Sequence, residues 1–219
     1  TGPAPVCSSA ASPPTLAPSP AYDDGRSRCQ NHRITERYQR PGWFTERVFT
    51  QLVRTDPPSA AMKAVELGLA WFTRGDLNIA QAWMNRARRL LNGAPEGPTN
   101  GYLAYLDALM VMPDSAALAQ RVQTLRDICS RVDTPALTAL CQVAEALAAI
   151  SETRMADAFA LLDEAMLPVL AGEVPLDWAG DIYCVVLNQC HYLADLPRMR
   201  AWTESMERWC ADFAASDNY

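Results

Sequence analysis

SAAMKAVELGLAWFTRGDLNIAQAWMNRARRLL, residues 59–91, decides the fold. Met62, Val65, Leu69 and Phe72 recur at spacings of three and four, which is the stripe of an amphipathic helix. Gly75-Asp76 ends that helix and opens the next, because glycine suits the position just past a helix and aspartate suits the N-cap. The second helix runs to Asn92-Gly93, with Arg86, Arg88 and Arg89 near its C-terminal end, where positive charge meets the helix dipole favourably. Two helices joined by a tight turn form a hairpin, and the rest of the chain repeats it.

Working outward, the pattern predicts helices over about 100–112, 115–131, 134–150, 154–170, 177–193 and from Pro197 to about 215. Pro113 stops one of them and Thr134-Pro135 starts another as N-cap and first-turn proline. No segment alternates with period two convincingly enough to be a strand. The turns at Gly75-Asp76, Pro113-Asp114, Ser151 to Thr153 and Ala194-Asp195 recur every 38 to 43 residues. Two-helix units at that period predict an all-α solenoid of about four antiparallel helix pairs.

The residues sharpen the repeat. Leu67, Gly68, Trp71, Ala80, Met84 and Ala87 in the first pair, and Ala146, Ala158, Leu162 and Ala165 in the third, set a small residue in one helix against a small residue twelve positions later. That arrangement resembles tetratricopeptide (TPR) repeats, in which the small residues let two helices approach closely. The second and fourth pairs have Asp107 and Leu187 in the corresponding slot, so they depart from the pattern. The resemblance implies a right-handed TPR-like superhelix with the first helix of each pair lining a groove.

Upstream, residues 1–22 hold six prolines among Ala, Ser and Thr, with almost nothing to bury. Residues 1–35 are therefore expected to be a disordered tail and linker, 36–58 an amphipathic helix and connection, and 59–219 the repeat domain. The arginines at 26, 28, 33, 37 and 40 are interleaved with Asp23, Asp24 and Glu36 and read as a solvated surface.

The chain has 219 residues and a net charge of −6, which makes it a poor partner for nucleic acid or an anionic membrane. Its longest uncharged helical run is too short to span a bilayer. Seven cysteines at scattered spacings, with no CxxC, argue against a disulfide framework and a zinc ribbon. They read as reduced, mostly buried thiols of a cytoplasmic protein, and no signal-peptide pattern opposes this.

Residues 74–91, 161–174 and 180–210 resemble the helical-repeat region of actinobacterial LuxR-type transcriptional regulators of the MalT-like kind. The similarity spans roughly 70% of the chain, from about 60 to 213. It implies a non-catalytic, ligand- or protein-binding sensor segment that self-associates and whose DNA-binding domain lies outside this chain, since no helix-turn-helix is legible here. A stand-alone TPR adaptor for protein–protein interaction is the alternative. A second, shorter stretch, ERYQRPGWFTERVFTQLV (36–53), resembles the N-terminus of deazaflavin-dependent nitroreductase-like proteins. The barrel that would hold a deazaflavin does not follow, so no activity or cofactor is implied.

The chemistry-bearing stretch is DIYCVVLNQCHYLAD (181–195), with two cysteines and one of only two histidines. On a helix Asp181, Cys184, Asn188 and His191 share one face. A single metal cannot use both ends, because ten residues of helix rise about 15 Å. Phosphate-binding, zinc-protease and serine-hydrolase motifs are all missing. The pair Asp163-Glu164 reads as a solvated helix face. The expected site is therefore a peptide, protein or small-molecule groove lined by Asp181, Cys184, Asn188, His191 and Tyr192 and by Asn100, Leu103, Asp107, Met110 and Val111. Met62, Val65, Leu69, Phe72, Leu140, Val143, Leu147 and Ile150 would supply its apolar half. The competing reading is that the polar residues merely face water.

Overall fold

The computed structural model describes residues 41–112 and 114–216, with side chains from 44 to 211. The tail expected at 1–35 and the start of the helix expected at 36 lie outside the described residues. Nine helices and no strands are present among the described residues: α1 Pro41–Thr55, α2 Pro57–Phe72, α3 Leu77–Leu91, α4 Pro98–Met110, α5 Ser115–Cys129, α6 Pro135–Ser151, α7 Met155–Leu170, α8 Leu176–Tyr192 and α9 Leu196–Ser216.

The caps follow from the sequence. Asp56, Asp114 and Thr134 each accept a backbone N–H of the following first turn through the side chain, and prolines open α2, α4 and α6 where no N–H is needed. Three of the four intra-pair turns are the same turn. Gly75, Thr153 and Ala194 all take left-handed φ values of 82°, 61° and 55°. In each, the next residue's amide reaches back to a carbonyl five positions earlier: Asp76 to Trp71, Arg154 to Ala149, Asp195 to Cys190. This is the Schellman closure, which satisfies carbonyls at the helix end. The turn after Met110 closes differently, with the Asp114 amide on the Val111 carbonyl.

The packing is that of a helical repeat. α2 pairs with α3, α4 with α5, α6 with α7 and α8 with α9, while α2, α4, α6 and α8 also pack side by side in a row. The first and third pairs pack more extensively than the second and fourth. Their small residues explain this: Ala80, Ala146 and Ala158 are fully buried, and a Cβ on Gly68 would sit 3.7 Å from the Ala80 carbonyl.

The central row brings another close approach. α4 runs against α6 at Gly101, where a Cβ would come within 2.6 Å of Leu137 Cδ2. α6 is buried around much of its girth by Ala136, Ala139, Ala144, Ala146 and Ala149 among others, so its neighbours can draw together over it. α1 packs on α3 through Phe49 and Trp83, whose rings meet edge-on at 5.1 Å, with the Arg86 guanidinium against both.

Candidate functional site

The row of first helices does not leave an open apolar channel. Val65, Leu69, Leu140, Val143 and Leu147, expected to line the groove, are buried core residues, while Met62, Phe72 and Ile150 are half-buried against them. Space between α4 and α8 is filled by aromatic rings. Tyr102 stacks on Trp178 with centroids 4.5 Å apart, and Tyr105 meets the same indole edge-on at 6.2 Å. Tyr105 Oη donates to Asp181 Oδ2 at 2.8 Å.

Asp181 is therefore placed differently from its expected groove position. It is only 6% exposed and belongs to the packed contact between α4 and α8. Burial pushes its pKa up to about 6, against the lowering effect of the Tyr105 hydrogen bond. The same burial, with Asp181 as a charged neighbour, raises the Tyr105 phenol well above its ordinary value.

The remaining residues of that helical face emerge from the core. Cys184, Asn188, His191 and Tyr192 are all exposed on α8, Tyr192 at 73%. Their spacing of four, seven and eight from Cys184 keeps them on one strip. Among the described residues none makes a side-chain hydrogen bond, and the His191 and Tyr192 rings lie 6.1 Å apart. Partial burial, then the Asp181 charge, raise the Cys184 thiol above its usual pKa, so it is a poor nucleophile at neutral pH.

The structure does not join the α4 part of the expected site to this strip. Asp107 is held by Arg88 of α3, and Met110 is half-buried against the core. Asn100 caps its own helix, its Oδ1 accepting from Gly97 N at 2.9 Å. Leu103 is buried and Val111 half-buried.

The paired carboxylates serve the architecture. Asp163 accepts from Arg198 and from Trp202 Nε1, and Arg198 also bonds Asp195 and lies 4.3 Å from the centre of the Phe159 ring, fastening α9 to α7. Glu164 accepts from Gln142 Nε2 at 3.1 Å. No group of three or more His, Cys, Asp or Glu is placed to hold a metal among the described residues.

Sequence reasoning missed Tyr105 and Trp178. Their signal was weak: Trp178 stands in the first turn of α8, and Tyr105 stands two positions from Leu103 and from Asp107, on the face of α4 opposite the assigned stripe. Comparison with protein-family models, with curated proteins and with solved structures finds no match. Among the described residues no helix is long and apolar enough to cross a membrane.

Proposed function

We propose that this chain is a non-catalytic, polypeptide-binding helical-repeat segment, and that the partner docks on the α8 strip Cys184–Asn188–His191–Tyr192. The observation that carries this reading is the exposure of that strip, with Tyr192 73% exposed beside His191. An aromatic with two rotatable bonds offers contact area at low entropic cost, and an amide and an imidazole without hydrogen-bond partners offer directional contacts. The filled row of first helices favours a polypeptide over an enclosed small molecule.

The host proposed for this segment is a LuxR-type transcriptional regulator of the MalT-like kind, with its DNA-binding domain elsewhere in the same polypeptide. The support is the pattern of residues 74–91, 161–174 and 180–210 together with the helical-repeat packing. The reading puts the chain in the cytoplasm, in keeping with five described cysteines that are all free thiols.

Two experiments test it. Peptides selected by display against the wild-type chain should lose binding by about tenfold or more to the variant Asn188→Ala/His191→Ala/Tyr192→Ala, a loss of about 1.4 kcal/mol or more. Unchanged binding would move the site off α8. Sequencing the coding DNA on both sides of this segment tests the host. A frame continuing into a helix-turn-helix supports the regulator, and a stop codon directly after Tyr219 points to a stand-alone adaptor.

A further inference from the structure

Two cysteines on neighbouring helices meet at the end of α5. Cys129 is the last residue of α5, and Cys141 lies two turns into α6. Cys129 Sγ donates to the backbone carbonyl of Leu137 at 3.5 Å. In an α-helix that carbonyl receives the amide of residue 141, so the sulfur rests on the turn that carries Cys141. Each thiol is the largest single influence on the ionisation of the other, so the two side chains are neighbours. Cys141 Sγ also faces Glu145 Oε1 at 3.7 Å, and that oxygen accepts from Arg126 Nε at 2.7 Å. Cys184, Cys190 and Cys210 have no thiol neighbour of this kind among the described residues.

We propose that Cys129 and Cys141 are a redox-active dithiol, a modification site at which hydrogen peroxide oxidises the pair to an intramolecular disulfide linking α5 to α6. The two sulfurs are not equivalent. Cys129 is half-buried, and the neighbouring Cys141 thiol holds its pKa below the ordinary thiol value. Cys141 is buried, and the Cys129 thiol beside it, then burial, raise its pKa. Cys129, the more accessible of the two, is the attacking thiolate and the buried Cys141 the resolving thiol.

The steps balance. The Cys129 thiolate attacks one peroxide oxygen, the O–O bond breaks, and the departing hydroxide takes up the proton lost when the thiol ionised, leaving as water. Cys129 is then a sulfenic acid. Cys141 sulfur attacks Cys129 sulfur, the S–S bond forms and the S–O bond breaks. Its proton passes, with Glu145 as the nearest base, to the leaving hydroxide, which departs as a second water. Two thiols lose two electrons in all and one peroxide gains them.

Trypsin separates the pair, because Arg126, Arg131 and Arg154 place Cys129 in peptide 127–131 and Cys141 in peptide 132–154. The reduced native protein is treated with stoichiometric hydrogen peroxide, remaining thiols are blocked with iodoacetamide, and the digest is mapped by mass spectrometry. The expected product is the cross-linked pair 127–131/132–154, formed about tenfold faster in native protein than in guanidinium, because the fold holds the sulfurs together. The variant Cys184→Ser/Cys210→Ser should give the same product, and in Cys141→Ser residue 129 should stop at the sulfenic acid. Both peptides recovered alkylated, a link from Cys129 to another cysteine, or equal rates in native and denatured chains would each overturn the proposal.

Discussion

Tyr105 of α4 donates a 2.8 Å hydrogen bond to Oδ2 of Asp181 on α8, 76 positions further along the chain. The two helices are not neighbours in the row, since α6 stands between them. Their contact ties the second helix pair to the fourth and buries a carboxylate in doing so. That carboxylate sets a pH dependence. Its pKa is about 6 in the folded chain against 3.8 for an ordinary aspartate, so between about pH 4 and 6 the folded state binds more protons than the unfolded one. Stability therefore falls as pH rises through that window and levels off above it, by about 3 kcal/mol at most. Asp181→Asn keeps an acceptor for Tyr105 and removes the buried charge. It should flatten this fall and raise the neutral-pH melting temperature, as measured by thermal denaturation from pH 4 to 8. An unchanged pH profile would mean that Asp181 is solvated.

Tyr105→Phe makes the complementary change. It strips the donor from a buried carboxylate, so it should cost about 1–3 kcal/mol at pH 7. At pH 4, where the carboxyl is protonated, the cost should be smaller. Urea denaturation at both pH values measures the difference, and equal costs would place the effect in ring packing alone.

The two buried glycines should respond differently to alanine. A Cβ at Gly68 would lie 3.2 Å from Met84 Cγ and 3.4 Å from Leu106 Cδ1, both adjustable side chains, and alanine's helix propensity offsets the crowding by about 1 kcal/mol. Gly68→Ala should be close to neutral, while Gly68→Leu should cost about 1–3 kcal/mol. At Gly101 the Cβ would stand 2.6 and 2.7 Å from both methyls of Leu137, which is fully buried. Gly101→Ala should therefore destabilise by about 1–3 kcal/mol despite its better propensity. Equilibrium unfolding checks both, and a neutral Gly101→Ala would deny the close packing of α4 on α6.

The turns offer stabilising changes. Thr153 and Ala194 hold left-handed backbone at φ 61° and 55°, where a side chain crowds the carbonyl and glycine does not. The equivalent first-pair position already has Gly75. Ala194→Gly should gain about 0.5–1 kcal/mol, since the relief exceeds the extra chain entropy. Thr153→Gly should gain at least as much, because a β-branched residue suits that region worse. A fall in melting temperature for both would show that the Schellman closure is not strained there.

The helices were legible because each signal was local. Gly75-Asp76, Thr134-Pro135 and the apolar stripes mark their own ends, and the Gly68–Ala80 and Ala146–Ala158 contacts lie within single hairpins. The site was legible only in part. Cys184, Asn188, His191 and Tyr192 share a strip as helical spacing requires. The burial of Asp181 depends on Tyr105 and Trp178, contributed by helices on opposite sides of α6, and no local pattern announces such a contact. The apolar residues assigned to a groove are core for the same reason: a stripe shows that a face is covered, not by what. The Cys129–Cys141 pair was hidden in the same way, since its spacing matches no motif and only the turn between α5 and α6 sets Cys129 against the Leu137 carbonyl.

The central claim is that a polypeptide partner docks on the exposed strip of α8. The most direct measurement replaces Tyr192 with the photo-crosslinking residue p-benzoylphenylalanine and irradiates cells expressing the full-length protein. Exposed Gln120 on α5, carrying the same group, serves as the reference. The account predicts a discrete cross-linked species from position 192, lost when Asn188→Ala and His191→Ala are added, and none from position 120. No adduct at 192, or the same adduct from both positions, would contradict it.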